Sequence, residues 1–126
     1  VALAHAGWRG LLEGVLEKTL ACFDPGEFVY AWLGPAISQA HFEVGEEVFQ
    51  QFVLDDVVAE GAFTAVGEGK YLCDLYGIAR RRLESVGRCA VYGGEYCTFS
   101  DPQFFSYRQK PITGRLLSLI WIDPGQ

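Results

Sequence analysis

Six consecutive apolar residues, Phe28-Val29-Tyr30-Ala31-Trp32-Leu33, stand between two turn signals, Asp24-Pro25-Gly26 before them and Gly34-Pro35 after. The run is too short for a typical helix, and its β-branched and aromatic residues suit a strand. Without polar alternation it reads as a strand buried on both faces, which needs other layers of structure above and below it. That requirement points to an α/β layered fold in which helices pack on a mixed, partly parallel sheet.

The flanking sequence supplies the helices. Trp8, Leu11, Leu12, Val15, Leu16, Thr19 and Leu20 recur at helical spacing opposite Glu13, Glu17 and Lys18, predicting a helix over residues 8–22 in which Gly10 and Gly14 permit close backbone approach. Val44, Val48, Phe49, Phe52 and Val53 mark a second amphipathic helix. Residues 71–86 read as a third, with Leu72, Leu75, Ala79, Leu83 and Val86 inward and Gly87 as its stop. Between these two lies an acidic stretch, 54–69, with no predicted element. Residues 88–92 form a short strand turned by Gly93-Gly94, and 115–122 a last, strongly apolar strand.

With 126 residues, 50% of them hydrophobic, the chain can build one core, and residues 1–126 read as a single domain. A net charge of −6 argues against a nucleic-acid partner, and the one basic run, Arg80-Arg81-Arg82, reads as a solvated helix face. No stretch approaches the ~18 apolar residues of a membrane span. Cys22, Cys73, Cys89 and Cys97 have neither C-x-x-C spacing nor a dense framework, so they read as reduced thiols of a cytoplasmic protein. There is no methionine at all, and residues 1–4 read as a buried strand already under way, so the sequence is expected to be a piece of a longer protein.

The densest chemistry lies in His5-Ala6-Gly7-Trp8-Arg9-Gly10. A histidine at a strand end, a tight glycine turn and an arginine at a helix start are the parts of an anion or metal site. The same residues also admit a plain reading, with His5 capping the strand, Trp8 in the core and Arg9 paired to a carboxylate. A second cluster joins Cys97-Thr98-Phe99-Ser100 to Phe104-Phe105-Ser106-Tyr107-Arg108 and Thr113-Gly114-Arg115. Its arginines, hydroxyls and aromatics could hold a planar base or an anion, or Arg108 and Arg115 could tie the loop to Glu95 or Asp101. Gly34 to Ser38, after a strand, occupies the usual place of a ligand loop in α/β sheets. Glu43 reads as first-turn dipole complementation of the second helix, with a general acid or base as the other option. His41, with no histidine at i+4 and no cysteine near it in sequence, reads as a surface or loop residue.

His5-Ala-Gly-Trp-Arg-Gly, Ala31-Trp-Leu-Gly-Pro-Ala-Ile, Phe42-Glu-Val-Gly, Cys97-Thr, Phe104-Phe-Ser-Tyr-Arg and Thr113-Gly-Arg together closely resemble the YfiH family, in order and along the whole chain. Its members are also described as laccase-domain or multicopper polyphenol oxidase-like proteins and as purine nucleoside phosphorylases. The resemblance implies a CNF/YfiH-like fold, of which this chain is the C-terminal portion. It also implies a His, Cys, His centre for zinc or copper, with the last ligand falling on His5 and the other two upstream. For the complete protein it implies phosphorolysis of purine nucleosides with phosphate, together with adenosine deamination; peptidoglycan-precursor amide cleavage and phenol oxidation are the alternatives. Arg9 would then hold the anion, and Arg108 and Arg115 would shape the pocket. A three-ligand zinc would leave a place for a water whose pKa falls to about 7.

Overall fold

Gly14 sets the shape of the N-terminal segment in the computed structural model, which describes residues 1–125. Its φ of 78° is left-handed, so no helix runs through it, and the expected single helix is two: α1 (Trp8–Leu12) and α2 (Val15–Leu20). Both keep the predicted apolar stripe, with Leu11, Leu16 and Leu20 buried.

The apolar run forms β1 (Val29–Leu33), which pairs in parallel with β5 (Cys89–Gly93), Val29 opposite Cys89 and Leu33 opposite Gly93. Val29, Ala31 and Leu33 pack against the core, whereas Tyr30 is 73% and Trp32 62% exposed. Burial on both faces is therefore corrected to burial on one: helices cover a single side of this pair among the described residues.

A second sheet, antiparallel, has the order β2 (Glu43–Gly45), β4 (Lys70–Cys73), β3 (Phe63–Gly67). Parallel and antiparallel pairing thus fall on separate sheets of one mixed α/β fold. Tyr71 sits opposite both Val44 and Ala65. Three of the sequence expectations change here. Val44 belongs to a strand, and the second helix, α3, starts only at Glu46 and runs to Asp55. Glu43 is likewise a strand residue, so the acids of the first helical turn are Glu46 and Glu47. Tyr71 and Leu72 are also in a strand, and the third helix, α4 (Leu75–Glu84), begins after Asp74, whose carboxylate accepts the Gly77 N–H at 2.9 Å. Within the stretch without a predicted element lie a 3-10 turn (Val57–Ala62) and β3. Gly87 does stop α4: its φ is 79° and its N–H returns to the Glu84 carbonyl.

One apolar cluster joins these parts, with Leu11 and Leu16 meeting Phe42, Val44, Val48, Phe52, Cys73 and Leu83. The basic run serves this packing rather than solvent. Arg80 donates to the Val91 and Gly93 carbonyls at 2.7 and 2.9 Å, Arg81 pairs with Asp56, and Arg82 bridges Glu17 and Asp55 at 3.1 and 2.6 Å. The helix turns its cations toward neighbouring elements because carboxylates and strand-end carbonyls lie there.

Neither residues 1–4 nor 115–122 form a strand. Val1, Leu3, Leu117 and Trp121 are exposed, and none of the described strands pairs with these segments. Among the described residues, no helix is long and apolar enough to cross a membrane.

Candidate functional site

His5 lies just before α1 and is exposed. Its imidazole folds back toward the turn: a Cβ added to Gly7 would stand 3.6 Å from His5 Nε2. Gly10 lies beside the same turn, where an added Cβ would make ordinary contact with the His5 carbonyl oxygen at 3.6 Å. Arg9 is exposed, its guanidinium lying 4.3 Å over the Trp8 ring. The expected pairing of Arg9 with a carboxylate is not made among the described residues. The helix start behind them is weaker than expected, because α1 has only five residues and few aligned peptide dipoles.

A metal centre needs several donors converging on one point. Among the described residues, no group of three or more His, Cys, Asp or Glu side chains could hold a metal ion. His5 is a single donor. The His, Cys, His set for zinc or copper is therefore not completed by the described residues.

Arg108 donates to the Glu43 carbonyl at 3.0 Å and lies 5.1 Å over the Phe42 ring. Arg115 donates to the Thr113 and Gly114 carbonyls at 3.3 and 3.1 Å and sits 5.8 Å over Tyr107. Both arginines hold backbone and aromatic partners instead of Glu95 or Asp101. Nothing in their contacts joins them to His5 or Arg9, so the residues chosen from the sequence form two separate groups.

The structure gathers a third group, which the sequence presented only in pieces. Beyond the carboxyl ends of β1 and β5 the parallel pairing resumes between Ala36 and Cys97, with the Thr98 N–H donating to the Ala36 carbonyl at 2.9 Å. The Tyr76 hydroxyl fastens the two loops. It accepts from the Ala36 N–H at 2.6 Å and donates to the Tyr96 carbonyl at 2.8 Å. Burial pushes this phenol's pKa up, partly offset by the Ala36 N–H.

Here the Ser38 N–H donates to Cys97 Sγ at 3.3 Å, and His41 Nδ1 lies 3.6 Å from the same sulfur and 3.3 Å from Ser38 Oγ. His41 stacks on Phe99, ring centres 4.8 Å apart, so it is a packed residue and not a loose loop position. Burial opposes ionisation of the Cys97 thiol, but the hydroxyls and N–H groups of Ser100 and Ser38 outweigh it and bring its pKa down to about 5. The loop after β1 and the Cys97-Thr98 pair were both visible in the sequence. What joins them is the β1–β5 pairing.

The whole of this arrangement, residues 1–123, matches the family model described as multi-copper polyphenol oxidoreductase laccase, and the chain belongs to that family. It is 52% identical over 124 residues to the Escherichia coli protein named purine nucleoside phosphorylase YfiH, covering 97% of this chain and 51% of that one. Against a Haemophilus influenzae purine nucleoside phosphorylase it is 49% identical, covering 98% and 52%. The crystal structure of the Neisseria meningitidis protein NMB0706 superposes with a TM-score of 0.78 at 47% identity, over 84% of this chain and 45% of that chain. The chain thus spans about half the length of the relatives it matches.

Proposed function

We propose that the intact protein is a cytoplasmic, metal-dependent purine nucleoside phosphorylase that also deaminates adenosine, and that the present residues contribute His5 and Arg9 to its site. The observation that carries the phosphorylase reading is the 52% identity, across nearly the whole chain, to a protein named purine nucleoside phosphorylase. In phosphorolysis, phosphate attacks the sugar carbon bearing the base, the glycosidic bond breaks, and the base leaves as sugar 1-phosphate forms. Arg9 suits the phosphate: its guanidinium is exposed, and a planar fork of N–H donors matches two phosphate oxygens. His5 is read as one donor to zinc or copper, with further donors supplied from outside these residues. Arg108 and Arg115, which lie over Phe42 and Tyr107 and apart from His5 and Arg9 among the described residues, are read as shaping the pocket of the intact protein.

The family's description as a copper polyphenol oxidoreductase favours phenol oxidation as a second reading. Product analysis separates the two. Incubating the intact protein with adenosine and phosphate is expected to yield adenine and ribose 1-phosphate, and the His5→Ala variant is expected to lose both bound metal and turnover while keeping its fold. Oxygen-consuming turnover of a phenol with no phosphate-dependent cleavage of adenosine would replace the first reading by the second.

A further inference from the structure

Cys97 sits at a junction built from three elements. The loop after β1 brings Ser38 and the 3-10 turn bearing His41, the segment after β5 brings Cys97 itself with Phe99 and Ser100, and Tyr76 on α4 locks the two together. Cys97 is half-buried. Of the other thiols, Cys73 and Cys89 are buried, and Cys22 is exposed on the α2 end, donating to the Lys18 carbonyl. Only at Cys97 do a ring nitrogen and a backbone N–H both lie within reach of the sulfur among the described residues.

We propose that Cys97, held beside His41 between Ser38 and Ser100, is a thiol-modification site at which a hydroperoxide oxidises the sulfur to a sulfenic acid. The hydrogen-bond donors that surround it stabilise the thiolate, which is the reacting form. The thiolate attacks one peroxide oxygen. A sulfur–oxygen bond forms as the oxygen–oxygen bond breaks, sulfur gives up two electrons, and the departing oxygen takes a proton from solvent to leave as water or an alcohol. The site is separate from His5 and Arg9 in all its contacts, so it goes beyond the phosphorolysis reading. Titratable and charged groups around it include His41, Tyr76 and Asp101. Of these, His41 Nδ1 is within 3.6 Å of the sulfur, and the Asp101 N–H donates to the Cys97 carbonyl at 3.0 Å.

The test treats the intact protein with hydrogen peroxide and dimedone at about pH 6 and maps adducts by mass spectrometry, alongside iodoacetamide labelling across a range of pH. Dimedone is expected on Cys97 ahead of the exposed Cys22, and Cys97 alkylation is expected to be level from about pH 6.5 upward. Ser100→Ala and Ser38→Ala should each slow Cys97 labelling at pH 6, by about twofold if its pKa rises from about 5 to about 6 and by roughly tenfold if it rises to about 7. Should either variant fail to fold, the profile of the unaltered protein decides by itself. Dimedone on Cys22 and not on Cys97, or Cys97 labelling that climbs steadily up to pH 9, overturns the proposal.

Discussion

Phe52 shows how much one side chain carries. It is 0% exposed, meets the Phe63 ring at 5.8 Å, and has the Arg82 guanidinium over its own ring. Phe52→Ala removes that packing and leaves a cavity, at an expected cost of about 3–5 kcal/mol, read as a lowered urea midpoint. Arg9 is the opposite case, exposed and without a carboxylate partner among the described residues, so Arg9→Ala should hardly change stability. In the intact protein the same change is expected to weaken phosphate by roughly 10- to 150-fold, the loss of a charge-assisted bond of about 1.5–3 kcal/mol. The adenosine deamination proposed above, which would use water, should change little. Comparing phosphate KM with deamination rate checks this, and equal losses would mean that Arg9 only shapes the turn.

Two thiols pull stability in opposite directions with pH. Cys97 is lowered to about 5 from the ordinary 9.0, so its stabilisation is full above pH 9 and drains away as pH falls toward 5. Cys73 is raised to about 12, by burial first and the Asp74 charge second, so its contribution is full below pH 9 and is lost as pH rises toward 12. Urea midpoints measured from pH 5 to 9 should rise less steeply in Cys97→Ser than in the unaltered chain. Identical slopes would show that the Cys97 thiolate is not stabilised by folding.

Among the elements, α4 and the Gly14 break show what can be read from sequence and what cannot. Tyr71, Leu72 and Leu75 fit a helical stripe, yet the helix starts only where Asp74 can cap it, because the preceding residues pair with β2 and β3. Periodicity does not register a partner strand. The cap does carry weight: Asp74→Ala should cost about 1 kcal/mol, seen as a fall in thermal midpoint. Gly10 and Gly14 looked alike in sequence, but only Gly14 has a left-handed backbone. Gly14→Ala should destabilise by about 1–2 kcal/mol, whereas Gly10→Ala, facing Val15 at 3.4 Å, should be near neutral. Paired melts of the two variants test the contrast. The strands at β1 and β5 and the stop at Gly87 were legible because turn residues bound them. β3 was not, being a five-residue strand with four exposed positions and no apolar run to reveal it. At the site, the His5 turn was legible from contiguous residues, while the Cys97 junction depends on chain segments that meet only through the sheet.

At the scale of the whole molecule, two groups of exposed apolar residues matter most. Tyr30, Trp32 and Tyr92 line the uncovered face of the β1–β5 pair, and residues 116–122 run outward with Leu117 82% exposed. Surfaces of this kind on a lone chain bind other apolar surfaces. These 126 residues in isolation are therefore expected to bind a hydrophobic dye such as ANS and to self-associate as concentration rises, measured by fluorescence and light scattering. A monodisperse, dye-silent monomer would show that the two regions cover each other in solution.

The pairing of Val29 with Cys89 also orders events during synthesis. A ribosome working at ~5–20 residues per second delivers β5 roughly 3–12 s after β1. Throughout that interval the edge of β1 that β5 takes is unpaired. Arg88, which donates to the Leu20, Asp24 and Glu27 carbonyls, arrives just as late, so the turn between α2 and β1 is also secured only then. A nascent chain paused between residues 34 and 88 would thus present a bare apolar strand, and this is the stage at which a holdase chaperone would find its binding site.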